Sequence, residues 1–251
     1  MEKCIAAVLE PWRDGLALHY QWSFDVNVPL EKFDIVVEGA NWWEKTLSLK
    51  RQLAERVSIY RDNAVELRRV ANYFIQVWGG IGRFDKATDV IDQFAEVIGV
   101  DLMPNGCRFA FDGISSWSKW LSLACPRWAC IYDARVAYSL NVINYVSGGS
   151  FKIFPSPEGR NSRLKMIDVS TLLLAGKIAP SDSIEPEALR DRYFWPRKSA
   201  YQEYLAIVSR VSKIMWGDAE HLQNIEMLLF ALADTFMYEK MIGSITPKRV
   251  A

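Results

Sequence analysis

Two residues between positions 111 and 140 carry the side chains best suited to covalent chemistry. Lys119 sits inside the apolar run Trp117-Ser118-Lys119-Trp120-Leu121, and Asp133 follows fourteen residues later, after Ala129-Cys130-Ile131-Tyr132. A lysine near the N-terminal end of a short apolar helix meets the positive helix pole and tryptophan neighbours. Both disfavour its ammonium form, and a neutral amine is a nucleophile for imine formation. The bland alternative is a lysine whose stem lies over apolar neighbours while its head stays in water. An aspartate ahead of Ala134-Arg135-Val136 accepts backbone N–H groups and starts a helix. The same carboxylate can stabilise a developing cation, or activate a water or an amine.

The elements that must position these groups read as helices from Asn41 onward. Asn63, with Glu66 three places on, has the form of a capping box. Val65, Val70, Phe74, Val77 and Trp78 then fit one broad helical face, and Trp78-Gly79-Gly80-Ile81-Gly82-Arg83-Phe84 breaks that helix. Asp85 is expected to cap the next helix, which runs to Gly99. Pro104-Asn105-Gly106 marks a loop. Ser115 or Ser116 is expected to cap a helix over about 116–124, which must end before Pro126. Asp133 caps 134–146, and Gly148-Gly149 ends it. Residues 150–165 read as a polar loop. Short helices are expected at 168–176 and 186–193, and longer ones at 198–216 and 219–242, with Asp218 between them and Gly243 closing the last. Residues 1–43 read as a short strand or an irregular aromatic arm.

Composition narrows the class. The chain has 251 residues, half of them hydrophobic, with 30 basic against 30 acidic side chains. It is long enough for a sizeable core and too apolar to be disordered. A neutral balance leaves room for a local basic stripe. Cys4, Cys107, Cys125 and Cys130 lack C-x-x-C spacing, and the two histidines, His19 and His221, stand far apart. A zinc site is therefore not expected, and the cysteines read as buried free thiols of a cytoplasmic protein. No apolar run reaches the eighteen residues of a membrane span, and the N-terminus lacks a signal-peptide core.

Ser118-Lys119-Trp120-Leu121-Ser122-Leu123-Ala124-Cys125-Pro126-Arg127-Trp128-Ala129-Cys130-Ile131-Tyr132-Asp133-Ala134-Arg135-Val136 resembles the catalytic segment of the helix-hairpin-helix DNA glycosylases, in a compact bacterial branch with the 8-oxoguanine glycosylase fold. The resemblance is carried by 111–140. It extends to 78–84 and to Asn224-Ile225-Glu226-Met227-Leu228-Leu229-Phe230-Ala231-Leu232. It implies a mostly α, two-lobed helical bundle over 1–251, with the active site between the lobes. It further implies Lys119 as the imine-forming lysine, Asp133 as the essential carboxylate, and base release from DNA, with strand nicking open. Antiviral defence against phage carrying a modified base is an option beside repair of oxidised purines. The cysteine set of the iron–sulfur members is missing, so no cofactor is expected. The partner is double-stranded DNA with a flipped base, and the chain is expected to act as a monomer.

A flipped base needs aromatic faces to grip it. With ten tryptophans and ten tyrosines, the candidates are Trp42, Trp43, Trp78, Trp117 and Tyr132, against ordinary core packing for each. Phosphate contacts are assigned to the hairpin position, Gly113-Ile114-Ser115, and to Arg135, which could instead pair with a nearby acid. A second basic patch holds Lys152, Arg160, Arg163 and Lys165, unless it is simply a solvated loop. The single glycine of the hairpin also permits a non-catalytic member of the fold that binds DNA or a protein. An unrelated all-α interaction protein is a further alternative.

Overall fold

The computed structural model describes all residues except 83, 84, 105, 108, 160 and 247–251. It is mostly helical, and the described residues form no strand, only an isolated bridge between Ile153 and Phe194. None of the described helices is long and apolar enough to cross a membrane. The chain divides into two compact units. One comprises Met1–Arg13, Arg108–Asp112 and Tyr132–Ala251; the other comprises Asp14–Cys107 and Gly113–Ile131.

In chain order, α1 (Glu2–Leu9) belongs to the first unit. The second unit holds α2 (Leu16–His19), α3 (Asn27–Phe33), α4 (Trp42–Ile59), α5 (Ala64–Asn72), α6 (Ala87–Gln93) and α7 (Ile114–Ala124). The first unit resumes with α8 (Ala134–Val146), α9 (Ser162–Lys165), α10 (Val169–Lys177), α11 (Pro186–Tyr193), α12 (Ala200–Trp216), α13 (Leu222–Leu232) and α14 (Tyr238–Ile245). Two of these helices widen into π-helix. α5 continues as Tyr73–Trp78, and Ala233–Met237 joins α13 to α14.

Residues 1–43 are neither strand nor irregular arm, because α1, α2 and α3 occupy much of them. The helical choice at the N-terminus is tertiary: Ile5 and Leu9 of α1 are buried, and α1 packs on α12 and α8.

In the second unit, Asn41 and Asn63 cap α4 and α5 through side-chain bonds from the amides of Glu44 and Glu66. The Asn63 box is not reciprocal. The Asn63 amide bonds Tyr60, and the Glu66 carboxylate pairs with Arg69. The buried face of this helix is Leu67, Val70, Ala71, Phe74, Ile75 and Trp78, at the i, i+3, i+4, i+7 spacing of an amphipathic helix. Val65 and Val77, expected on that face, are 68% and 50% exposed.

α6 starts after Lys86, not after Asp85, and its end turns into a 3₁₀ segment, Ala95–Val97, before Gly99 at φ +74°. α7 starts two residues earlier than expected. Gly113, in the left-handed region, stands at its N-cap, and neither Ser115 nor Ser116 caps it. The end of α7 is tied down by the Gly99 amide on Ala124 and by the buried Cys125 thiol, which donates to the Val97 carbonyl at 2.9 Å.

In the first unit α8 is buried along most of its length, from Val136 to Asn144. Its two buried asparagines do the work of a missing sheet partner. Asn141 bonds both the amide and the carbonyl of Phe154, and Asn144 does the same for Phe151. The stretch after Gly149 is therefore not a simple polar loop: Ile153, Phe154 and Pro155 are buried, and Asn161 caps the turn α9. α10 and α11 fall where the sequence placed them, with Asp168 capping the former. α12 ends at Gly217, φ +90°, but Asp218 binds the Glu220 amide ahead of α13 rather than capping it. Gly243 lies inside α14 and does not close it.

Candidate functional site at the start of helix α8

The N-terminus of α8 assembles residues from distant parts of the first unit. Asp133 is extended (φ −129°, ψ −176°), the backbone form of an N-cap. Its Oδ1 accepts both cap bonds, from the amides of Arg135 at 2.9 Å and Val136 at 3.0 Å. Its Oδ2 takes no hydrogen bond among the described residues. The residue is half-buried. One oxygen thus fixes the carboxylate to the helix.

Tyr132 forms the wall behind it. The ring is fully buried, edge-on to Tyr204 at 5.1 Å and to Phe111 at 6.3 Å. Its hydroxyl donates to the Pro155 carbonyl at 2.7 Å, and burial, reinforced by Asp133, holds the phenol protonated. The loop beyond Pro155 closes on the helix start. A Cβ placed on Gly159 would lie 2.6 Å from the Ala134 Cβ, so only glycine fits there. Gly159→Ala must push this loop off α8. We expect it to cost about 1–3 kcal/mol, by analogy with overpacked cores. A thermal melt should fall by roughly 2–10 °C; an unchanged melt would show the contact to be loose.

Arg135 is aimed by its neighbours. It pairs with Asp234 at 2.8 Å and lies 4.5 Å over the Phe230 ring. Asp234 sits in the π-helical turn and also accepts from the Asn161 amide at 2.5 Å, tying the 155–161 loop to the same carboxylate. π-turns of this kind are frequent at functional sites. Tyr138, one turn along α8, is 7% exposed, and its hydroxyl finds no partner among the described residues. Burial, with Tyr238 and Asp234 nearby, pushes it up to about 12.

Asp234, Tyr138, Asn161 and Gly159 were not singled out in the sequence. The one signal was Asp234, a lone acid in the apolar run Leu228-Leu229-Phe230-Ala231-Leu232-Ala233-Asp234-Thr235-Phe236.

The other candidates divide between the two units. Lys152 lies 5.7 Å over the Trp195 ring, and Arg163 lies 4.6 Å over Tyr238. Arg163 and Lys165 are exposed, and Arg160 falls outside the described residues. In the second unit Lys119 is 7% exposed. Its Nζ donates to the Ser115 carbonyl one turn back at 2.8 Å. The stem crosses Gly79, where an added Cβ would meet Lys119 Cδ and Cε at 2.8 Å. Lys119 and Asp133 thus belong to different units.

The hairpin position is less open than its residues suggested. Gly113 is exposed, but Ile114 is buried in the first turn of α7, and the preceding helical residue is Val97. Trp78 stacks on Phe74 at 4.3 Å, and Trp117 tilts against Phe94 at 5.5 Å; both are buried. Trp42 is partly open, flanked by Phe24 at 5.6 Å and by Lys45 at 4.7 Å over its ring. Trp43 is half-buried beside it in α4. Among the described residues no three of His, Cys, Asp and Glu gather as a metal site. No family model matches the chain, and neither a curated protein nor a solved structure matches it.

Proposed function

We propose that the chain is a DNA glycosylase that hydrolyses the N-glycosidic bond of a damaged or modified base, with Asp133 as the carboxylate that faces the sugar. The observation that carries this reading is the division of labour within Asp133: Oδ1 is bound to two helix amides, while Oδ2 is unengaged among the described residues. Breaking the C1′–N bond sends its electron pair to the departing base and leaves positive charge on the sugar. A fixed carboxylate stabilises that charge and takes a proton from the attacking water. The base must leave the stack before the bond can be reached. Arg135, held by Asp234 and Phe230, supplies a preoriented cation for the flanking phosphate.

Water is the nucleophile in this reading. The amine of Lys119 donates to the Ser115 carbonyl one turn back in its own helix and is almost wholly buried, which suits a packing lysine better than an imine-forming one. The base itself is assigned by class only: an oxidised purine, or a modified base of phage DNA. The test is release of free base, read by mass spectrometry, from duplexes containing 8-oxoguanine and from genomic DNAs with different natural modifications. Release by the full chain supports the reading. Duplex binding without release from any of them sinks it and leaves the non-catalytic alternative.

A further inference from the structure

Two basic stretches of the first unit, far apart in sequence, are brought side by side by the bridge between Ile153 and Phe194. The Ile153 amide donates to the Tyr193 carbonyl at 2.8 Å, and the Trp195 amide donates to the Ile153 carbonyl at 2.9 Å. Residues 150–157 and 192–199 together hold four cations, Lys152, Arg192, Arg197 and Lys198, and no acid. Arg192 is paired with Asp182. The other three carry no hydrogen bond or ion pair among the described residues. Arg197 and Lys198 are exposed, and Lys152 is partly so.

Two of these cations lie over aromatic rings. The Lys152 Nζ stands 5.7 Å from the Trp195 ring, and the Arg197 guanidinium stands 5.1 Å from Phe111. Such contacts hold a charged head near one place on the surface. Both rings belong to a single aromatic cluster. Trp195 packs on Phe154 at 6.1 Å, and Phe154 and Phe111 each pack on Tyr132 at 6.3 Å. Tyr132 is the wall behind Asp133. One or two rings therefore separate each cation from that wall, a span shorter than one turn of duplex, about 34 Å. The frame is fixed from within as well, since Asn144 holds the backbone of Phe151 and Asn141 holds that of Phe154.

A phosphate backbone is the partner this pattern fits. Duplex DNA carries one negative charge per about 1.7 Å of its axis, and exposed, uncompensated cations bind it by displacing counterions. A membrane surface would call for apolar side chains beside the cations. Among the described residues, no exposed large apolar side chain falls within 109–112, 150–157 or 192–199. Asp112 is the one acid in these three stretches, so the balance stays positive.

We propose that Lys152, Arg197 and Lys198 form the track that takes the DNA backbone beside Asp133, a role the hairpin position, with Ile114 buried, does not fill. The choice of DNA rests on the glycosylase reading; the track itself does not.

The experiment is an anisotropy titration of the full chain, at several salt concentrations, with a labelled undamaged duplex of about two helical turns. Undamaged DNA keeps base release out of the measurement. The parent should bind, more weakly as salt rises. The Lys152→Gln/Arg197→Gln/Lys198→Gln variant should bind at least about tenfold more weakly at low salt. Its slope of log affinity against log salt should be shallower by about two to three, because each phosphate contact contributes about 0.9. Arg197→Lys should keep the parental slope, since the charge remains. Lys198→Gln alone touches no ring and should still lower the slope by about one, which preserves the test if circular dichroism shows the triple variant to be misfolded. Lys32→Gln/Arg68→Gln, which removes two exposed cations of the second unit, should bind as the parent does. The proposal is overturned by a parental slope in the folded triple variant, or by an equal loss in Lys32→Gln/Arg68→Gln. Tighter binding to an RNA duplex of the same sequence, or binding to phosphatidylglycerol vesicles and not to DNA, would overturn it too. The glycosylase reading fails separately, by absent base release while this salt-dependent binding persists.

Discussion

Asp133→Asn should lose base release by about a hundredfold or more while leaving the fold in place. The loss follows from charge. A carboxylate opposite a developing cation is worth more once bound DNA excludes water than in bulk solvent, and removing one preorganised group from such a site costs about 10²–10³ in rate. The fold survives because asparagine caps as well as aspartate does. Its carbonyl oxygen can take the bonds from the Arg135 and Val136 amides that Oδ1 takes now. Asp133→Ala makes the contrast, since it removes cap and charge together. It should cost about 1 kcal/mol of stability besides the activity. The check is a pair of measurements on each variant: single-turnover base release on the substrate the parent cleaves, and a thermal melt. If Asp133→Asn kept parental rates, the carboxylate would be a cap and nothing more. If Asp133→Asn and Asp133→Ala lost stability equally, the geometry assigned to Oδ1 would be wrong.

Much of the helical frame was legible because caps are local chemistry. Asn63 and Asp133 each put a short polar side chain ahead of an apolar run, and each accepts an amide of its own first turn. No long-range information is needed for that. The N-terminal 43 residues were not legible for the opposite reason. Ile5 and Leu9 commit α1 to helix by packing on α12, some two hundred residues away in sequence, and the aromatic alternation after Leu16 resembles a strand pattern. Val65 and Val77 were misplaced because residue type alone cannot tell a buried valine from an exposed one. Of the site at α8, the cap, Arg135 and the aromatic Tyr132 could be read. Asp234, Asn161 and Gly159 acquire meaning by converging on α8 from two separate segments, and their partners are not written beside them in the chain. The expected partner of Arg135, a nearby acid, exists, but it lies ninety-nine residues downstream.

Lys119 gives the second large effect, and the choice of substitution separates packing from chemistry. Removing the side chain as Lys119→Ala empties a buried volume between α7 and the Gly79 turn. By analogy with long buried side chains cut to alanine, that costs about 2–5 kcal/mol, or roughly 4–15 °C in the melt. Lys119→Met keeps a flexible, unbranched stem of similar length and gives up the amine with its bond to the Ser115 carbonyl. It should therefore restore most of the stability and, with water as nucleophile, should release base within about twofold of the parent rate, since the chemical step then makes no use of the amine. Borohydride treatment of the parent on DNA with an abasic site should give no covalent adduct. An adduct that disappears in Lys119→Met would reverse the assignment. The lysine would then be the nucleophile, its bond to Ser115 a resting contact that breaks on substrate binding, and the reaction would proceed through an imine with strand nicking open to it. Stability alone cannot make this distinction, because either role leaves the stem packed against Gly79. The adduct and the Lys119→Met rate together can.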